Sequence, residues 1–256
     1  MDAKSDMDTV NVDSSIWYSR PGVLGNAANN LETNVQLPFT VEQFYGVCRA
    51  YNDALWPAQV MLVGVAVAAI IFLLRPSRWT SIAVSSILAF LWAWIALAYH
   101  LAFFARINPL AYVFSGISLV GAVVFLWQGV VHRRLQFAWG GGPRAAIGAV
   151  LVVFALIVYP VWSWYAGHRY PAMPTFGLPC PTTIFTIGLL AFAIPTYPRS
   201  PFIVPVLWCF VGAQAAFLLG VPQDLSLIVA GVVGLFLLAR SRTSGASGSA
   251  VGEAAG

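Results

Sequence analysis

Between Arg78 and Arg106, Arg106 and Arg133, Arg144 and Arg169, and Arg169 and Arg199 the chain carries no Asp, Glu, Lys or Arg, and most of what lies between is aliphatic or aromatic. A soluble fold needs polar side chains on its water-facing surface, and runs of this length do not supply them. About 20 apolar residues cover the roughly 30 Å of hydrocarbon in a bilayer, so each run is long enough for a transmembrane helix. Composition agrees: 59% of the residues are hydrophobic and 9% charged, where a soluble domain carries about a quarter charged residues. The chain reads as an all-α, polytopic transmembrane helix bundle whose first partner is the lipid bilayer.

Cutting the runs at their polar separators gives about seven spans, near residues 56–74, 80–104, 109–131, 145–164, 181–197, 202–219 and 222–239. The fifth is short, and at 1.5 Å per residue it rises only about 25 Å. Ahead of the first span, Thr40 followed by Gln43 makes a capping box, and Val41, Phe44, Cys48, Tyr51 and Leu55 recur at helical spacing. This predicts a short amphipathic helix lying in the membrane interface. The domain plan is a polar, disordered tail over 1–36, a membrane domain over 37–239 and a second disordered tail over 240–256, rich in Ser, Gly and Ala. The first tail lacks the apolar stretch of a signal peptide.

Cytoplasmic loops keep the basic residues. One set of connections holds Arg75, Arg78, Arg133, Arg134, Arg144, Arg199, Arg240 and Arg242, and the other holds Lys4, Arg20, Arg49, Arg106 and Arg169. With an odd number of spans, the N-terminus is expected outside and the C-terminus in the cytoplasm, in a bacterial inner membrane. The same scatter disposes of nucleic acid as a partner: the net charge of +4 is spread as topology signals and forms no basic patch. Gly212, Ala216 and Gly220 form a small-residue stripe, a candidate contact for a homo-oligomer or a partner membrane protein.

The spans lack the residues that several chemistries need. There is no HExxH for a zinc protease, no GxSxG for a serine hydrolase and no lysine for a retinal Schiff base. Asp53 precedes the first span and Gln223-Asp224 opens the last; an outer rim that attracts cations is one reading of these acids, and solvated helix-end charges are the leading one.

What remains is crowded at the outer ends of the spans. Tyr99-His100 closes the second span, Asn108 opens the third, and a proline-stiffened loop with His168, Tyr170, Thr175 and Phe176 runs into Cys180, Thr182 and Thr183. That loop should pack back onto the bundle, with 175–183 as a cavity wall and Cys180 at a helix N-cap, where the partial positive charge favours a thiolate. His100, His168 and Cys180 are ligand types suited to copper or zinc, with Tyr99, Asn108, Tyr170, Thr175, Phe176, Thr182 and Thr183 around them. A haem held by the two histidines has no attachment signature to support it. Two further readings compete with a metal: a thiol enzyme with Cys180 as nucleophile and His168 as base, and a disulfide between Cys48 and Cys180.

The motifs Leu37-Pro38-Phe39-Thr40, Tyr51-Asn52, Trp56-Pro57, Leu91-Trp92, Tyr99-His100, Ile107-Asn108-Pro109 and the run from Gly167-His168 through Pro174-Thr175-Phe176-Gly177-Leu178-Pro179-Cys180-Pro181-Thr182-Thr183 resemble an uncharacterised family of bacterial polytopic membrane proteins. The resemblance covers residues 37–239, implies the membrane fold and brings no activity with it. On the residues alone, the leading expectation is a small metal-binding or solute-transport membrane protein with an outer-face pocket, and the competing one is an accessory subunit of a membrane complex.

Overall fold

The computed structural model describes residues 37–241, which are helical apart from connections and two isolated bridges, Phe137 with Ala193 and Phe176 with Leu178. The expected tails lie outside the described residues, apart from Arg240 and Ser241. The helices are α1 (Val41–Ala54), α2 (Ala58–Leu74), α3 (Thr80–Arg106), α4 (Ala111–Val131), α5 (Pro143–Tyr165), α6 (Pro179–Leu190), α7 (Ser200–Leu218) and α8 (Pro222–Arg240). Five of them, α3, α4, α5, α7 and α8, are long and apolar enough to cross a membrane, and the bent pair α1 and α2 makes a sixth when taken together.

The helix α1 starts where the sequence signals it. Thr40 Oγ1 accepts from the Gln43 amide, and Gln43 Oε1 accepts from the Thr40 amide, so two of the free N–H groups at the helix start are satisfied. Hydrogen bonds from its own backbone N–H and from the Thr40 hydroxyl hold the Glu42 carboxyl below the usual carboxylate range. Phe44, Val47, Cys48, Tyr51 and Asn52 form the buried face of α1, and the chain then turns by 85° into α2.

The expected fifth span departs most from the sequence reading. Its helix, α6, has only 12 residues and stops at Leu190, a rise of about 18 Å. Every residue of it except Cys180 is buried, so it is the central pillar of the bundle, with α5, α7 and α8 packed around it. A helix that is apolar all round needs cover on every side, and here protein supplies it. The chain beyond Leu190 cannot continue as helix because its carbonyls are taken by other partners. Ala191 O and Ala193 O accept from the Arg144 guanidinium, Phe192 O accepts from the Ala138 amide, and Gln136 O accepts from the Ile194 amide.

Close approach of α5 to α6 depends on two glycines: a Cβ at Gly148 would lie 2.8 Å from Gly188 O, and one at Gly188 would lie 3.0 Å from Gly148 O. Gly212, the first residue of the small-residue stripe, is also used inside the molecule, facing Leu227, Trp208 and Cys180.

The connections gather at two ends of opposite character. The loops 75–79, 132–142 and 191–199 meet at one end, which holds Arg75, Arg78, Arg133, Arg134, Arg144, Arg199 and Arg240. All three acidic residues among those described, Glu42, Asp53 and Asp224, lie at the other end, together with Arg49, Arg106 and Arg169.

Candidate functional site

At the acid-bearing end, Asn52 clamps the long loop between α5 and α6 to the corner between α1 and α2. Its Nδ2 donates to Pro171 O at 2.6 Å and Met173 O at 2.9 Å, while its Oδ1 accepts from Thr175 Oγ1 at 2.7 Å and Gln59 Nε2 at 3.1 Å. The Tyr170 hydroxyl adds a bond to Asn52 O. Every polar atom of this buried amide is satisfied, which rigidifies the loop. The loop therefore packs back onto the bundle, as the sequence predicts. The stretch expected as a cavity wall is closed instead: Gly177 has a φ of +99° and presses so close to Leu62 and Tyr51 that a Cβ would lie 2.4 Å from the Leu62 side chain. Phe176 packs edge-on against Phe185, and Thr182 Oγ1 accepts from the Gly177 amide.

The three expected metal ligands are not brought together. His168 stacks on Tyr45, with its Nε2 2.9 Å from the Tyr45 hydroxyl. His100 is buried among Tyr99, Phe104, Phe114 and Trp208. Cys180 lies against the Asp224 carboxyl group. Among the described residues no group of three or more His, Cys, Asp and Glu side chains could hold a metal ion. With His168 bound to Tyr45 and Cys180 beside Asp224, the expected thiol and imidazole pair is also absent from this arrangement. Cys48, Cys180 and Cys209 are free thiols. Cys180 is not the N-cap, because α6 begins at Pro179 with Leu178 as its cap. Asn108 Oδ1 accepts from the Leu110 amide at 3.0 Å in the turn that leads into α4.

The residue that organises this end is Asp224, and it is not a solvated charge. It is 1% exposed, and its Oδ1 accepts a 2.5 Å hydrogen bond from the Tyr159 hydroxyl. Tyr159 lies six residues before the end of α5, a rise of about 9 Å below that end. Beside Asp224, Gln223 Nε2 donates to Ser163 Oγ at 2.8 Å. No Lys, Arg or His among the described residues forms an ion pair with Asp224, and the thiol of Cys180 completes its polar surroundings.

The polar path continues from Cys180. A Cβ on Gly212 would lie 3.4 Å from Cys180 Sγ and 3.2 Å from Trp208 Nε1, so the thiol and the indole border the same glycine. The Trp208 ring is 5.1 Å from that of His100. Trp208 Nε1, both ring nitrogens of His100, Thr183 Oγ1 and Gln223 Oε1 are buried without a hydrogen-bond partner among the described residues. Buried polar groups are nearly always paired, so unpaired ones on α3, α6, α7 and α8 call for an explanation.

The backbone is irregular at several points along the helices, including a π-helix over Leu126–Val131 of α4 at the arginine-bearing end. α3 widens into a π-helix over Ile95–Leu101, where the Ala96 carbonyl accepts from Ser115 Oγ. α5 widens over Phe154–Val158, just before Pro160, whose missing N–H cannot continue the ladder. α7 breaks at Gln214, and α8 opens with a 3-10 turn over Pro222–Leu225. Irregular backbone at membrane depth is tolerated where protein buries it or where it lines a site. The sequence did contain a pointer to Asp224: it is the only carboxylate between Asp53 and Glu253.

Residues 41–247 match DUF6064, a family of unknown function. The chain belongs to this family. Nothing matches it among curated proteins or among solved structures. Family membership brings no activity with it and leaves the chemistry to be argued from the Asp224 arrangement itself.

Proposed function

We propose that this protein is a multi-pass transport protein of the bacterial inner membrane that binds a small cation at Asp224, with Tyr159 and Cys180 as the neighbouring polar groups. The observation that carries the reading is a buried carboxyl group, at the end of a membrane helix, with no cationic side chain among the described residues paired to it. A lone carboxylate is too costly to keep in apolar surroundings, so such a group is stable when it holds a proton or another cation. The irregular stretches of α5, α7 and α8, which adjoin Tyr159 or Asp224, support the reading, since broken helices supply the ion sites of many transporters. The thiol beside the carboxyl group extends the range of cations from hard to soft ones, which keeps zinc and copper(I) among the probes.

The test is thermal unfolding of the purified protein across pH and against sodium, potassium, zinc and copper(I) salts, run beside Asp224→Asn. One of these cations is expected to stabilise the wild type, by about 2.7 kcal/mol at a hundred times its dissociation constant. The same cation should leave Asp224→Asn unchanged. Equal responses of the two proteins to every cation would overturn the proposal.

A further inference from the structure

The opposite end of the bundle carries a groove of about 730 Å³ between the start of α5 and the end of α8. Its walls are apolar, with Ile147, Pro195, Tyr197 and Phe236, and its polar groups include the guanidinium groups of Arg144 and Arg240. Ile147 and Phe236 are 45% and 49% exposed, so the groove opens sideways, along the face that a membrane helix turns to lipid. Arg144 is fixed: it donates to Ala191 O and Ala193 O and stands 5.3 Å over the Tyr197 ring. Two of its five N–H donors are engaged this way, which leaves donors free on a charge that cannot move. Arg240 is held 4.5 Å over Phe236 and is exposed. Both charges are close enough to act on the Tyr197 hydroxyl. Among the described residues no carboxylate answers them, because Glu42, Asp53 and Asp224 all lie at the far end of the molecule.

We infer that this groove binds the headgroup phosphate of an anionic phospholipid, with the acyl chain lying along Ile147 and Phe236. The charge and the shape both point to this occupant. Two guanidinium groups that no described carboxylate answers call for an anion, and basic pockets between membrane helices are a recurrent site for acidic headgroups. A free phosphate would satisfy the charge and leave the apolar wall without a role, whereas a phospholipid uses both. The inference stands apart from the Asp224 reading, since the two sites lie at opposite ends of the bundle.

The experiment measures thermal stabilisation of the purified, delipidated protein by phosphatidylglycerol, by phosphatidylcholine and by inorganic phosphate. Mass spectrometry of the lipids retained on purification accompanies it. Phosphatidylglycerol should stabilise and be retained in preference to phosphatidylcholine, and phosphate alone should do neither. Arg240→Gln, an exposed position whose change leaves the Arg144 contacts in place, should reduce the preference about fivefold, the effect of one basic residue near an anionic headgroup. Arg240→Lys should restore most of it. Equal stabilisation by the two lipids would overturn the inference, as would stabilisation by phosphate alone or an Arg240→Gln protein that keeps the full preference.

Discussion

Asn52 shows what a single buried amide can do in a molecule with few polar groups. It makes four side-chain hydrogen bonds to two peptide carbonyls, a hydroxyl and another amide. Removing it strips Met173 O and Thr175 Oγ1 of these bonds, while Pro171 O keeps the Met173 amide and Gln59 Nε2 keeps Asn52 O; each group left unpaired costs about 1 to 3 kcal/mol when no water reaches it. Asn52→Ala should therefore destabilise the protein by about 2 kcal/mol or more, read as a lowered unfolding temperature in detergent, and should release the 170–175 loop to proteolysis. A change below about 1 kcal/mol would contradict the clamp. At this scale the sequence was legible in part. The Thr40 and Gln43 capping box could be read because both partners lie within one turn. The partners of Asn52 stand more than a hundred residues away, and no local pattern announces them. Asp224 was visible as an isolated acid, but its position in the first turn of a helix resembles that of any solvated helix-start charge, and only the Tyr159 hydroxyl across the bundle distinguishes it.

The secondary elements were legible where hydropathy alone decides them. Charge-free runs place α3, α4, α5, α7 and α8 to within a few residues, because a spanning helix must satisfy its backbone internally and cover itself with apolar side chains. α6 escapes that logic. Its window is as apolar as the others, but protein covers it on all sides and Arg144 draws its C-terminal carbonyls into a turn, so hydropathy overstates its length. Its fit depends on bare backbone at Gly148 and Gly188. Gly188→Leu should separate α5 from α6 and destabilise the bundle by about 1 to 3 kcal/mol, the usual effect of overpacking. The same substitution at Gly64, where a Cβ meets nothing within 4 Å, should change stability by less than about 1 kcal/mol. Comparable unfolding temperatures for the two variants would contradict the packing described.

The whole molecule is polarised, with an arginine-rich end that lacks acidic residues among those described and an acid-bearing end with the aromatic loop and the Asp224 site. From the distribution of basic residues we propose that the arginine end faces the cytoplasm. A fluorescent protein fused after Gly256 should then fluoresce in cells, and alkaline phosphatase at the same place should be inactive; the reverse pattern would contradict the orientation. The sequence revealed this polarity because basic residues near span ends are a linear signal. It did not reveal that His100, His168 and Cys180 have separate neighbours, since their meeting depends on helix rotation, which spacing along the chain does not encode. The central claim is that Asp224 is a carboxyl group buried in apolar surroundings and open to cation exchange. A hydrophobic carbodiimide, which attacks protonated carboxyl groups from the lipid phase, tests it most directly when the labelled residue is mapped by mass spectrometry in native membranes. Labelling at Asp224, suppressed by the cation that stabilises the protein and absent in Asp224→Asn, is the predicted result. Labelling of exposed Glu42 and Asp53 with Asp224 untouched would contradict the account.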